Sequence, residues 1–298
     1  MNVPRVLIAN ADDLGMSEAI NRGILHAFQA GIVRSASLMV NMPAVEHGVE
    51  LARKNPDLEI GLHLNITAGH CCSDPARIPS LVTPDGTFRF DEARIDDSVS
   101  WLHKLVETDP QTIDEIVTEF RAQIERFKQT GVELRHLNTH HYSSLFHPGI
   151  LSALLKVTLE ESLPCRGISL PLIELLDHSP TVAEGMRRAI VESGSVTPDH
   201  SLSNLWDASG EPGDAQTYER AIIDRLSSCN GNSVELVVHP TDLDSPPESY
   251  AWARRLETRL VTSDSFRETI GQLNFKPAGY AAIVGIPAAT ETNPCCTP

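Results

Sequence analysis

Two adjacent carboxylates, Asp12 and Asp13, follow the apolar run Val6-Leu7-Ile8-Ala9-Asn10 and precede Leu14-Gly15-Met16-Ser17. Neighbouring carboxylates held in one site repel each other, so a site that gathers them calls for a divalent cation or a proton-acceptor role for one of the pair. An isolated Asp-Asp is more simply a helix cap. The rest of the chain shifts that balance. His63 lies in Gly61-Leu62-His63-Leu64-Asn65, His140 in His136-Leu137-Asn138-Thr139-His140-His141, and His239 in Val237-Val238-His239-Pro240. With Asp13 these make four polar ligands or proton carriers at the ends of four different strand-like stretches, the address at which α/β folds gather their chemistry. One carboxylate and two imidazoles suit a divalent ion such as zinc or magnesium, with cobalt, nickel or manganese as alternatives, and leave positions for water and substrate. Asp12 and Asp13 supply one ligand and one base, and His239 can protonate a leaving group or stabilise an oxyanion. This is the chemistry of a metal-assisted hydrolase.

The elements that position these groups read as successive βα units. Ser17 can cap a helix carrying Ile20, Ile24, Leu25, Ala27 and Phe28, which stops near Gly31. A second strand, Ala36 to Val40, delivers Asn41 to its end, and a third, Leu58 to Asn65, carries His63, with Asn65 and Thr67 on the same rim. Residues 68–110, with Pro75, Pro79, Pro84 and Gly86, break the rhythm and read as a loop-rich lid or substrate-shaping insertion. Within it, Ile78 to Leu81 and Thr87 to Phe90 can pair as a small hairpin. Gln111 to Thr130 is an amphipathic helix built on Ile113, Ile116, Val117, Phe120, Ile124 and Phe127, with its charges expected in solvent. Val132 to Tyr142 is a polar strand in which His136, Asn138 and His140 share one direction and Leu137, Thr139 and His141 the other. His140 is the better ligand, with His141 as the fallback. His147 opens the next helix and either caps it or reaches the site. Further on come a strand from Cys165 to Pro171, a helix from Ala183 to Ser193 and an irregular loop from Thr197 to Gly213. A helix from Asp214 to Ser228, the His239 strand from Ser233, and helices over Tyr250 to Val261 and Asp264 to Gly271 complete the pattern. Residues 1–284 fit one α/β barrel-like domain, and 285–298 read as a flexible tail.

Composition bounds the partners. With 298 residues, 41% apolar and 21% charged, the chain is an ordinary globular protein long enough for a sizeable core. Its 24 basic and 40 acidic side chains give a formal charge of −16. That argues against nucleic acid, anionic membranes and polyanionic substrates, and favours a neutral or cationic small molecule. No leader or membrane-length apolar stretch is visible, so the expected compartment is the cytoplasm. Six cysteines without Cys-x-x-Cys spacing are expected to be reduced thiols.

At the level of motifs, Asn10-Ala11-Asp12-Asp13-Leu14-Gly15-Met16-Ser17, Asn21-x-Gly23-Ile24, Ser37-Leu38-Met39-Val40-Asn41-Met42-Pro43, Gly61-Leu62-His63-Leu64-Asn65 and His136-Leu137-Asn138-Thr139-His140-His141 resemble the YdjC/ChbG family of carbohydrate deacetylases. The likeness runs in register to about residue 150, with an echo at Val238-His239-Pro240. It implies a distorted (β/α) barrel of the glycoside hydrolase/deacetylase type that removes acetyl groups from N-acetylglucosamine units of short chitin-type sugars. It also places Asp13, His63 and His140 at the metal-ligand positions, Asp12 at the base and His239 at the late histidine. Asn41, Asn65, Asn138 and His141 then become candidates for substrate binding, and a homodimer is a family expectation.

One run departs from the family. Where relatives usually carry an Asp-Ser-His-His-His-x-His type of sequence, this chain has Asn138-Thr139-His140-His141-Tyr142-Ser143-Ser144, which removes a carboxylate partner for a ligand. Two other readings accompany the hydrolase. One is a metal-dependent sugar isomerase or epimerase using Asp12 or His239 as proton shuttle, and the other a catalytically weak, metal-containing sugar-binding protein.

Overall fold

The computed structural model describes residues 4–168, 180–202, 214–245 and 251–285. The apolar runs form β1 (Arg5–Leu14), β2 (Ser35–Leu38), β3 (Glu59–Leu64), β4 (Leu134–Thr139), β5 (His200–Leu202), β6 (Ser233–Val238) and β7 (Phe275–Pro277). Their pairing is parallel throughout, in the order β4-β3-β2-β1-β6-β5. β7 pairs with Arg5 to Leu7 of β1, ahead of Asn10, where pairing with β2 begins. Beyond β4 the sheet curls onward, with a parallel bridge from Leu137 to Cys165 and a hydrogen bond from Cys165 N to Val196 O at 2.9 Å.

Parallel neighbours cannot be joined by tight hairpins, so helices make the crossovers. These are α1 (Glu18–Ala30), α2 (Val45–Lys54), α3 (Ile95–Thr108), α4 (Gln111–Gln129), α5 (Pro148–Glu161), α6 (Pro180–Ser193), α7 (Ala215–Ser228), α8 (Ala251–Thr262) and α9 (Asp264–Gln272). Ser17 caps α1 by accepting from Ile20 N, as its sequence position suggests. Buried side chains such as Leu7, Ala9 and Leu38 on the strands meet Ile24, Ile116 and Phe120 on the helices in one continuous core. The architecture is therefore an α/β fold on a curled parallel sheet. Among the described residues no helix is long and apolar enough to cross a membrane.

Four local expectations need correction. The insertion is not all loop: beside the Thr83 to Thr87 turn, where Arg89 N donates to Leu81 O at 2.9 Å, it contains α3, whose Leu102 and Val106 are buried. The loop from Thr197 contains β5, while 203–213 lie outside the described residues. Glu119 of α4, expected in solvent, is fully buried. Its carboxylate accepts from Cys72 N at 2.8 Å and Ser73 N at 2.9 Å, pinning the start of the insertion to the helix. Finally, Cys71, Cys72 and Cys165 are free thiols, but Cys229 is disulfide-bonded.

Candidate active site

The end of β1 is bent so that both aspartates meet one buried cluster of side chains. Consecutive strand residues normally face opposite sides of a sheet. Here the register against β2 shifts between Ala11 and Leu14, and Asp13 adopts φ 71, a left-handed conformation that a residue with a Cβ takes only under constraint. As a result, His63 Nε2 lies 3.8 Å from Asp12 Oδ2 and 3.5 Å from Asp13 Oδ1.

His140 arrives directly after β4, where the chain turns left-handed at His141 (φ 54) and Tyr142 (φ 52). Its Nδ1 is 3.2 Å from Asp13 Oδ1 and 3.2 Å from His63 Nε2. Asp13 Oδ1, His63 Nε2 and His140 Nδ1 thus form a nearly equilateral triangle of buried donor atoms, a group able to hold a metal ion. Ligand atoms about 2.0–2.1 Å from a tetrahedral ion stand about 3.3 Å from one another, which these edges match. Among the described residues no well-formed hydrogen bond reaches buried Asp13 Oδ1, which has only the two imidazoles beside it, an arrangement that a cation would resolve.

Neighbours fix the orientation of each group. Asn138 Oδ1 sits 2.7 Å from His63 Nδ1. A carbonyl oxygen can only accept, so Nδ1 carries the proton and the Nε2 lone pair faces Asp13 and His140. Arg254 Nη2 donates to Asp13 Oδ2 at 2.5 Å. Burial alone would raise the Asp13 pKa, but Arg254 and the two imidazoles outweigh it and hold the carboxyl well below the usual range.

Asp12 has two unlike oxygens. Oδ1 accepts from Asn10 Nδ2 (2.8 Å), Ser37 Oγ (2.6 Å), Asn138 Nδ2 (3.1 Å) and Arg166 Nη2 (2.9 Å). Among the described residues Oδ2 takes one direct bond, from Arg166 Nη1 at 2.8 Å, and otherwise faces His63 and His239 Nε2, the latter 3.9 Å away. Burial again favours the neutral acid, yet Arg166 and His63 keep Asp12 ionised. His239 closes the opposite side. Its backbone N–H donates to Glu257 Oε2 at 2.5 Å, and its Nδ1 lies 3.3 Å from the same oxygen. Burial works to lower the His239 pKa, and Glu257 overcomes it to raise the value above that of an ordinary histidine.

The asparagines expected to meet substrate are engaged within the protein. Asn65 Nδ2 donates to Asn41 Oδ1 and Ala68 O, and its Oδ1 accepts from Thr67 N and Ala68 N, so both donors are occupied in shaping the loop after β3. Asn41 Nδ2 donates to Ala68 O and His70 O. Asn138 gives its two donors to Asp12 and Ser37. His141 stays half-buried, its Nδ1 3.0 Å from Thr67 Oγ1 and its ring stacked on Phe90 of the insertion. His147 caps α5 by accepting from Gly149 N rather than reaching the cluster.

Sequence reasoning assigned no role to Arg166, Glu235, Arg254 or Glu257. A charged residue amid the apolar run Val234-Glu235-Leu236-Val237 was the available signal, because buried charge is rare without a partner. The departures after β4 also find uses. Tyr142 lies under the Arg166 guanidinium, 5.1 Å from its ring centre, and Ser144 bonds Thr139.

The fold and site together define an α/β protein on a curled parallel sheet whose strand ends gather Asp13, His63 and His140, a group that could hold a metal ion, beside a second buried aspartate, Asp12. The chain belongs to the YdjC family, whose model, described as YdjC-like protein, matches residues 6–272. It is 31% identical over 267 residues to a carbohydrate deacetylase of Brevibacillus brevis, covering 89% of this chain and 94% of the relative. A chitooligosaccharide deacetylase of Salmonella typhimurium is 28% identical over 283 residues, covering 94% and 99%. The crystal structure of an Enterococcus faecalis V583 protein shares the fold, with a TM-score of 0.75, 24% identity and coverage of 94% of this chain and 98% of that one.

Proposed function

We propose that this chain is a divalent-metal-dependent hydrolase that removes the acetyl group from an N-acetylated amino sugar, on a fold read as a distorted (β/α) barrel. The carrying observation is the 3.2 to 3.5 Å triangle of Asp13 Oδ1, His63 Nε2 and His140 Nδ1 beside Asp12 Oδ2. The names of the relatives and the acidic charge, which suits a neutral sugar, support the same reading.

A cation in the triangle, zinc or magnesium first, supplies Lewis acidity toward the amide carbonyl and toward water. The protein's own groups do the rest. Asp12 Oδ2, left with a single hydrogen bond among the described residues and facing the cluster, takes the proton from the attacking water. Arg166 keeps that carboxylate ionised and fixed in plane. His239, made more basic by Glu257, gives a proton from Nε2 to the departing nitrogen as the carbon–nitrogen bond breaks, so that acetate and a free amine result. Asn138 orients His63, and Phe90 and His141 belong to the adjacent wall.

The test is a panel of N-acetyl compounds, chitooligosaccharides included, assayed for acetate before chelation, after chelation and after return of zinc, magnesium or cobalt. Acetate that stops and resumes with the metal supports the reading. Sugar interconversion without acetate, or tight sugar binding with no turnover, overturns it in favour of the isomerase or the binding protein.

A further inference from the structure

Glu235 occupies the middle of β6, fully buried, where an apolar residue would serve the sheet better. Its Oε1 accepts from Arg166 Nε at 3.0 Å and from Tyr280 Oη at 2.7 Å, and its Oε2 accepts from Ser201 Oγ at 3.0 Å. The far end of the same guanidinium meets Asp12 through Nη1 and Nη2. A guanidinium is a rigid plane, so fixing Nε fixes the direction in which Nη1 and Nη2 point. Tyr280 lies in a short turn after β7, beyond the residues matched by the family model. It is itself fully buried, stacked on His136 with ring centres 4.0 Å apart. Four side chains from four segments therefore form one line from Tyr280 through Glu235 and Arg166 to Asp12.

We propose that Glu235 is a positioning residue for Asp12, acting through Arg166, and that Tyr280 holds Glu235 in place. A guanidinium held at one end only could rotate about its stem and carry Asp12 Oδ2 away from the cluster. Held at both ends, it presents the base in one orientation. The kinetic consequence rests on the deacetylase reading above, whereas the positioning itself does not.

The experiment compares the metal-loaded wild-type chain with Glu235→Met, Glu235→Gln and Tyr280→Phe. Glu235→Met should lower kcat by roughly 10- to 100-fold, the range for loss of a group that orients a site residue, with KM and bound metal little changed. Glu235→Gln should recover part of the loss, because its amide oxygen still accepts from Nε. Hydrogen exchange at Arg166 Nε, followed by nitrogen-15 NMR, should accelerate in Glu235→Met and in Tyr280→Phe. That arm needs no substrate, so it decides the positioning even where wild-type protein releases no acetate. Wild-type exchange in both of those variants would overturn the proposal, as would a fall in kcat that arrives only with loss of bound metal.

Discussion

Arg166 meets Asp12 end-on, with Nη1 2.8 Å from Oδ2 and Nη2 2.9 Å from Oδ1, while its Nε holds Glu235. All three side chains are buried, so the cation is shared between two carboxylates that bulk solvent screens little. Removing it leaves both anions uncompensated. Arg166→Met should therefore cost about 3–5 kcal/mol of stability, the range for breaking a buried pair from one side. A urea midpoint shifted by much less would mean that water or another cation reaches Asp12 and Glu235.

The metal and base assignments separate by substitution. Asp13→Ala and His63→Ala should lose the bound ion and turnover together, because each removes one corner of the triangle. Asp12→Asn should keep the ion and lose roughly 10²- to 10⁴-fold in kcat, the usual reach of general-base catalysis. Metal content by elemental analysis beside acetate release reads both. Full turnover in Asp12→Asn would remove the base assignment.

His239 gives the pH dependence. Its pKa is raised by Glu257 against the lowering effect of burial, so the protonated form persists to higher pH than for an ordinary histidine. A proton donor must be protonated, and kcat should hold through neutral pH and fall as pH rises through that elevated value. Glu257→Gln removes the cause and should move the alkaline fall to lower pH. A kcat profile in which the fall stays in place would detach His239 from the acid role.

Gly61 tests the packing below the cluster. A Cβ there would lie 2.3 Å from His136 Cε1, and the buried His136 ring is stacked on Tyr280 with centres 4.0 Å apart. Gly61→Ala should destabilise by at least the roughly 1–3 kcal/mol typical of overpacking. An unchanged melting temperature would show that the His136 ring can shift.

Much of this was legible in the chain. The strands announce themselves as short apolar runs because a parallel sheet is covered on both faces, and α4 by its 3.6-residue period. Asp13, His63 and His140 could be grouped because each ends such a run, and strand ends converge. What escaped has physical reasons. The left-handed turn at Asp13, which brings two neighbouring aspartates to the same histidine, has no glycine to mark it. β5 has only three residues, too few for a period. Asn65 reads as a rim residue, and Asn138 as the stand-in for a carboxylate that would orient a ligand. Only coordinates reveal that their donors are already occupied. Arg166, Arg254 and Glu257 contribute through partners 154, 241 and 18 residues away, distances over which sequence alone carries no pairing signal.

The most direct measurement is the joint yield of acetate and new primary amine from an N-acetylated chitooligosaccharide treated with protein carrying one divalent ion per chain. Equal amounts of the two are expected, abolished by Asp12→Asn while the ion stays bound. Metal-replete wild-type protein that yields neither, on this sugar or any other N-acetyl amino sugar, would contradict the deacetylase reading.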